Sequence, residues 1–118
     1  MAEWHEVPGG ITAPKGYKAA GIAAGLKPSG SPDLTLIVSD VEAIAAGVFT
    51  LNQVCAAPVT YCRDRLRAKP SARAILCNSG QANAATGEQG MIDALETAQA
   101  LGQTMGIPAE SILLTSTG

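Results

Sequence analysis

Thr115-Ser116-Thr117-Gly118 sets three hydroxyls and a glycine N–H side by side directly after an apolar run, Ser111 to Leu114. Donors gathered at a strand end can stabilise an oxyanion as a carbonyl is attacked. By residue type alone an ordinary turn is the better reading. A second candidate is Asn78-Ser-Gly-Gln-Ala-Asn-Ala-Ala-Thr-Gly87, which joins the apolar run Arg73 to Asn78 to the start of a periodic segment. A helix N-terminus there would favour an anion through its free N–H groups and dipole. The phosphate-loop pattern nevertheless fails, because Glu88 stands where Lys should follow Gly87 and would repel phosphate. The spacing does not fit GxGxxG either. A structural strand-to-helix connection is the first expectation, and ligand contact by Asn78 or Asn83 the second.

The remaining reactive side chains are weaker candidates. Cys77 closes an apolar run, a place where nucleophiles do occur, but no base accompanies it and His5 is distant in sequence, so an inert buried thiol is expected. Asp40 and Glu42 could pair as acids, yet their position after a short strand suits a solvated turn. His5 reads as a surface residue. Cys55, Cys62 and Cys77 are odd in number and lack CxxC spacing, which points to neither a disulfide framework nor a zinc site. With one histidine to join them, no metal centre is expected.

Composition narrows the function classes. The 118 residues suit a single domain, 1–118, and 47% hydrophobic against 15% charged residues is too apolar for a disordered tail. Abundant Ala and Gly suggest closely packed backbones. A net charge of −2 and an aromatic inventory of Trp4, Tyr17, Phe49 and Tyr61 leave little to neutralise phosphates or stack bases, so nucleic acid is not an expected partner. Arg63, Arg65, Arg67 and Lys69 are interrupted by Asp64 and closed by Pro70, as on a solvated face. No apolar run approaches a bilayer span, and the first residues lack the pattern of a signal peptide, so a cytoplasmic location is expected.

The elements that must position these residues follow from punctuation and periodicity. Pro8, Gly9, Gly10, Pro14 and Gly16 make Val7 to Gly16 an irregular lead-in. Tyr17 to Leu26 reads as a strand, Lys27 to Asp33 as a turn that can close a hairpin, and Leu34 to Ser39 as the next strand. Ala46 to Asn52 also reads as a strand, with Gly47 as a possible bulge. Within Pro58 to Arg67 the second half predicts a short helix, and Arg73 to Asn78 a buried strand. Met91, Ile92, Leu95, Ala98, Leu101, Gly102 and Met105 recur at helical intervals. Thr86 with Gln89 suggests a capping box at the start, while Gly106 and Pro108 end the helix. A final strand, Ser111 to Leu114, completes an α/β fold, a mixed sheet with packed helices whose strand carboxyl ends should gather the chemistry.

Four segments, in order, resemble the ornithine acetyltransferase (glutamate N-acetyltransferase) family: Gly9 to Gly21, Ala46 to Pro58, Asn78 to Gly90, and Ser116-Thr-Gly118. Together they span nearly the whole chain, and Asn78 to Gly90 is the most specific. The resemblance implies the N-terminal part of an α chain from a self-cleaving precursor, whose separate β chain begins with a nucleophilic threonine. It further implies two α and two β chains, acetyl transfer from N-acetylornithine to glutamate in arginine biosynthesis, in some members acetyl-CoA as donor (amino-acid N-acetyltransferase activity), and no cofactor. By the family's pattern, Thr117 and Gly118 form the oxyanion hole. A carboxylate on Gly118 would oppose the charge such a hole stabilises, so the polypeptide is expected to continue, and this chain alone to be inactive. Two alternatives share the local chemistry: an N-terminal-nucleophile amidohydrolase or aminopeptidase, and a non-catalytic small-molecule binding module.

Overall fold

The computed structural model describes residues 2–118. A four-stranded sheet carries the fold, in the order β1 (Tyr17–Ile22), β2 (Leu34–Ile44), β3 (Ser71–Asn78), β4 (Ile112–Ser116). Helix α1 (Ala57–Ala68) precedes β3, and α2 (Gly87–Met105) with a single 3-10 turn at Ala109–Ser111 links β3 to β4. β1, β2 and β3 pair antiparallel, whereas β3 and β4 run parallel, so the sheet is mixed and the fold α/β, as the sequence predicts.

The β1–β2 hairpin is organised by Asp33. Its buried carboxylate accepts N–H bonds from Ala24 at 2.7 Å, Leu26 at 2.7 Å and Lys27 at 2.8 Å. Those three donors wrap the chain around the acid, which is why β1 stops at Ile22 instead of reaching Leu26. β2 also departs from its predicted limits, running on to Ile44 through an irregularity between Val38 and Ala43. Asp40 and Glu42 therefore belong to a strand and not to a turn. Asp40 lies 3.5 Å from Lys18, and Glu42 lies 2.7 Å from Lys69 while accepting from the Ser71 hydroxyl at 3.0 Å.

Ala46 to Asn52 is not a strand. Its groups are satisfied locally instead: Asn52 N–H donates to Thr50 Oγ1 at 3.2 Å and Val54 N–H to Asn52 Oδ1 at 3.0 Å, a side-chain competition that draws backbone out of ladders. The helix expected in the second half of Pro58 to Arg67 occupies all of it, because Pro58 sits in the first turn, where its missing N–H costs nothing.

The core lies between one sheet face and the two helices: Tyr61 and Cys62 of α1, Ala94 and Ala98 of α2, Ala74 of β3, Ile112 and Leu114 of β4. α2 turns Gly90, Ala94, Ala98 and Gly102 inward, one every four residues. Of the larger residues in the predicted stripe, Met91 and Leu101 pack at the margin, whereas Ile92, Leu95 and Met105 are exposed. Small residues let the α2 backbone approach closely, and an added Cβ on Gly102 would stand 2.8 Å from the Ile107 carbonyl oxygen. Buried polar atoms are matched: Tyr61 Oη donates to the Ile112 carbonyl at 2.8 Å, and Cys62 Sγ donates to the Leu114 carbonyl at 3.1 Å. Arg65 lies over the Tyr61 ring at 5.0 Å, and Arg63 over Phe49 at 6.0 Å, so the basic cluster is partly folded onto aromatics and not wholly a solvated face.

Candidate active site

Parallel pairing of β3 and β4 brings two carboxyl ends together, with Asn78 opposite Ser116. Three contacts tie these ends. Ser116 Oγ donates to Asn78 Oδ1 at 2.5 Å, Thr117 N–H donates to the Asn78 carbonyl at 3.0 Å, and Gln81 N–H donates to the Thr117 carbonyl at 3.2 Å. Asn78 Nδ2 closes the loop by donating to the Gln81 carbonyl at 2.9 Å. The backbone of Thr117 is thus pinned on both sides, while its side chain and Gly118 are exposed. Among the described residues, neither the Thr117 hydroxyl nor the Gly118 N–H is engaged in a hydrogen bond within the chain.

The loop after β3 is held just as firmly. Asn83 adopts φ 49° and Ala85 φ 55°, a left-handed conformation that costs a non-glycine residue on the order of 1–2 kcal/mol, less for asparagine. Asn83 is stapled in three directions. Its Nδ2 donates to the Gly90 carbonyl at 3.0 Å, its Oδ1 accepts from Thr86 Oγ1 at 2.6 Å, and its carbonyl accepts from Ala57 N–H at 3.2 Å. The expected capping box is absent for this reason: the Thr86 hydroxyl serves Asn83 and leaves the helix N–H groups, while Gln89 reaches Asp93 at 2.8 Å. Gly90 lies against both Asn83 and Thr86, where any Cβ would collide with their side-chain oxygens. The strand-to-helix loop is therefore a built connection, as first expected.

Beside these chain ends lies an open cavity of about 620 Å³, whose polar wall includes Asn78, Asn83, Thr86, Thr115 and Ser116. Its floor is apolar, with Leu34, Leu76 and Leu114. Asn78 and Asn83, for which ligand contact is the second expectation from sequence, share this wall. Thr117 and Gly118 stand immediately after Ser116 and are not part of the wall.

Other reactive groups are dispersed. Cys77 is half-buried, and burial pushes its thiol up from its ordinary value, as burial does at Cys62. Cys55 was not singled out by sequence. The Thr60 hydroxyl, 3.4 Å away, holds its thiol below the ordinary range against the opposing effect of burial, with help from Arg63. A sequence signal existed only in the short spacing Cys55, Thr60, Arg63 into a helix start. His5 is exposed at the surface, 3.5 Å from Glu3. Among the described residues no cluster of His, Cys, Asp or Glu is suited to a metal ion, and no helix is long and apolar enough to cross a membrane.

Fold and site together define an α/β protein that gathers hydroxyls and a free amide at the carboxyl ends of adjacent parallel strands. The ArgJ family profile matches residues 18–118, and the chain belongs to that family. It is 71% identical over 118 residues to arginine biosynthesis bifunctional protein ArgJ 1 of a Nostoc species, and 70% identical to the corresponding protein of a Synechocystis species. All of this chain is covered in both cases, but it spans only 29% of the length of each. Ornithine acetyltransferase of Mycobacterium tuberculosis, solved in complex with ornithine, superposes with a TM-score of 0.89 at 43% identity, covering 92% of this chain and 59% of that one. ArgJ of Bacillus halodurans gives 0.88 at 39% identity, covering 93% and 57%.

Proposed function

We propose that this chain is the N-terminal part of the α chain of an arginine-biosynthesis acetyltransferase, and that Thr117 and Gly118 donate to the oxyanion formed during acetyl transfer. The observation that carries the reading is the contrast at the end of β4: Thr117 is pinned through its backbone to Asn78 and Gln81, while its hydroxyl and the next N–H remain free to donate. Donors whose position is fixed before reaction need not reorganise when charge develops, and that is the source of their effect.

The chemistry follows from the free amine of an N-terminal threonine, the residue expected to open the partner β chain after self-cleavage of the precursor. Such an amine titrates near pH 7.7–8.0 and can take the proton of its own hydroxyl. The hydroxyl oxygen attacks the acetyl carbonyl of N-acetylornithine, and the carbonyl oxygen becomes charged facing Thr117 Oγ1–H and the Gly118 N–H. Collapse expels ornithine, which leaves with the proton, and an acetyl ester remains on the threonine. The amino group of glutamate then attacks that ester, passing through the same oxyanion, and N-acetylglutamate departs as the threonine regains its proton. Acetyl-CoA serves as a second donor by the same route. Two α and two β chains make the working assembly, located in the cytoplasm and needing no metal or organic cofactor.

The reading is tested in an ArgJ-length protein bearing this chain, by following acetyl transfer from N-acetylornithine to glutamate. Thr117→Ala should lower kcat on the order of a hundredfold with a much smaller change in KM. Unchanged turnover would remove Thr117 from the mechanism, and release of acetate without acetylation of glutamate would replace the transferase with an amidohydrolase.

A further inference from the structure

A second open cavity, also of about 620 Å³, shares no residue with the one beside Thr117. Pro58 borders the first and Thr60 the second, so the first turn of α1 stands between them. The wall of the second offers cations and donors but no acid. Arg63 and Arg67 supply two guanidinium groups, Thr50 and Thr60 hydroxyls, and Gln53 an amide, while no Asp or Glu takes part. Asp64, the acid adjacent to Arg63 in sequence, is exposed and lies outside the wall. Among the described residues the ion pairs are His5–Glu3, Lys18–Asp40 and Lys69–Glu42, so neither arginine is matched by a carboxylate.

The two cations are placed together by the helix. Residues four apart on a helix are neighbours on one face, and like charges there repel. Arg63 is also held in place, with its guanidinium 6.0 Å over the Phe49 ring and its Nη2 4.0 Å from Cys55 Sγ. Thr50 Oγ1 accepts from Asn52 N–H, which leaves its own proton free to donate into the cavity.

We propose that this cavity binds a small organic dicarboxylate, Arg63 and Arg67 each taking one of its carboxylate groups. A guanidinium presents parallel N–H donors that match a carboxylate in bidentate fashion, and two of them ask for two such groups. The space is that of a small-molecule site and far exceeds a single inorganic ion. The Phe49 ring in the same wall gives the methylenes between the carboxylates an apolar contact. Bound there, the ligand relieves the repulsion between the arginines and leaves no carboxylate facing another acid.

Cys55 reports occupancy without recourse to catalysis. Its thiol lines the same cavity, and the Thr60 hydroxyl, with help from Arg63, holds it below its ordinary range against the effect of burial. Alkylation of a thiol follows its thiolate fraction and its accessibility, and a carboxylate on Arg63 lowers both. In the ArgJ-length protein, alkylation by uncharged iodoacetamide is timed by mass spectrometry at matched ionic strength, with Cys77 for comparison. Glutarate at about 10 mM, ample for a millimolar site, should slow Cys55 several-fold and leave Cys77 unchanged. Butyrate, with one carboxylate, and inorganic phosphate should protect far less. Arg67→Gln should abolish the protection while Cys55 stays reactive, because Arg63 and Thr60 are untouched. An unaltered Cys55 rate in glutarate, equal protection by butyrate or phosphate, or protection that survives Arg67→Gln would each overturn the dicarboxylate site.

Discussion

Asn78 and Ser116 face one another across the parallel pair β3–β4, and the asparagine holds the next strand's exit twice, through its side-chain oxygen to Ser116 Oγ and through its carbonyl to Thr117 N–H. Thr117 owes its position to a residue 39 places earlier, not to its own neighbours. Asn78→Ala should keep the Thr117 amide bond, which uses backbone, but release Ser116 and Gln81. In the ArgJ-length enzyme it is expected to lower kcat by about tenfold or more with KM moved less, since loss of positioning near a reacting centre is costly. Steady-state kinetics at matched fold content, checked by circular dichroism, decide it; a kcat within twofold of the parent would show that the clamp does not position the donors.

The hydroxyl and the methyl of Thr117 can be told apart by conservative changes. Thr117→Ser keeps the donor and is expected to retain turnover within about tenfold, whereas Thr117→Val keeps the shape and should lose as much as Thr117→Ala, on the order of a hundredfold. Equal activity in the serine and valine variants would assign the position to packing.

Gly102→Ala opposes two effects of known size. Alanine in a helix interior gains up to about 1 kcal/mol over glycine, while overpacking costs typically 1–3 kcal/mol. At Gly102 the new Cβ would meet backbone atoms at Ile107 and Ala109, which cannot rotate away as a side chain would. The second effect should win. Thermal denaturation is expected to show a lower Tm, and a Tm equal to or above that of the parent would mean that the turn after α2 yields freely.

Asp33 ties hairpin stability to acid. Backbone N–H bonds, led by Ala24 and Lys27 with Leu26 adding to them, hold its carboxyl below the ordinary value of 3.8. A depressed folded-state pKa contributes stability that is fully present above the unfolded value and lost as pH falls through the folded one. The Tm difference between the parent and Asp33→Asn should therefore be constant from pH 7 to about pH 5 and shrink below 3.8. A difference that stays flat to pH 2 would contradict the role given to the carboxylate.

Residues legible in the sequence were those whose signals are local. The turn at Lys27 to Asp33, the strand before Asn78, the end of α2 at Gly106 and the family segments could all be read from adjacent residue types. Ala46 to Asn52 misled because β-branched and apolar residues suit a strand only when a partner strand is available. There the side chains of Thr50 and Asn52 took the backbone N–H groups instead. The predicted core stripe of α2 misled similarly, since helical periodicity marks an apolar face without saying which flank approaches the sheet. Close approach favoured Gly90, Ala94, Ala98 and Gly102 over the larger Ile92 and Leu95.

By itself the sequence determined the mixed α/β class, the turns that glycine and proline enforce, and membership of a family through motifs whose order survives in one dimension. It could name Thr117 and Gly118 only by that resemblance. The tertiary structure decided that β3 and β4 lie parallel and adjacent, that Asn78 clamps the exit of β4 at Ser116 and Thr117, and that Asp33 gathers three amides at once. The reason is the range of the forces involved: backbone propensity acts between neighbours, whereas these contacts form only after α2 has returned the chain to the sheet and closed the distance between residues far apart in sequence.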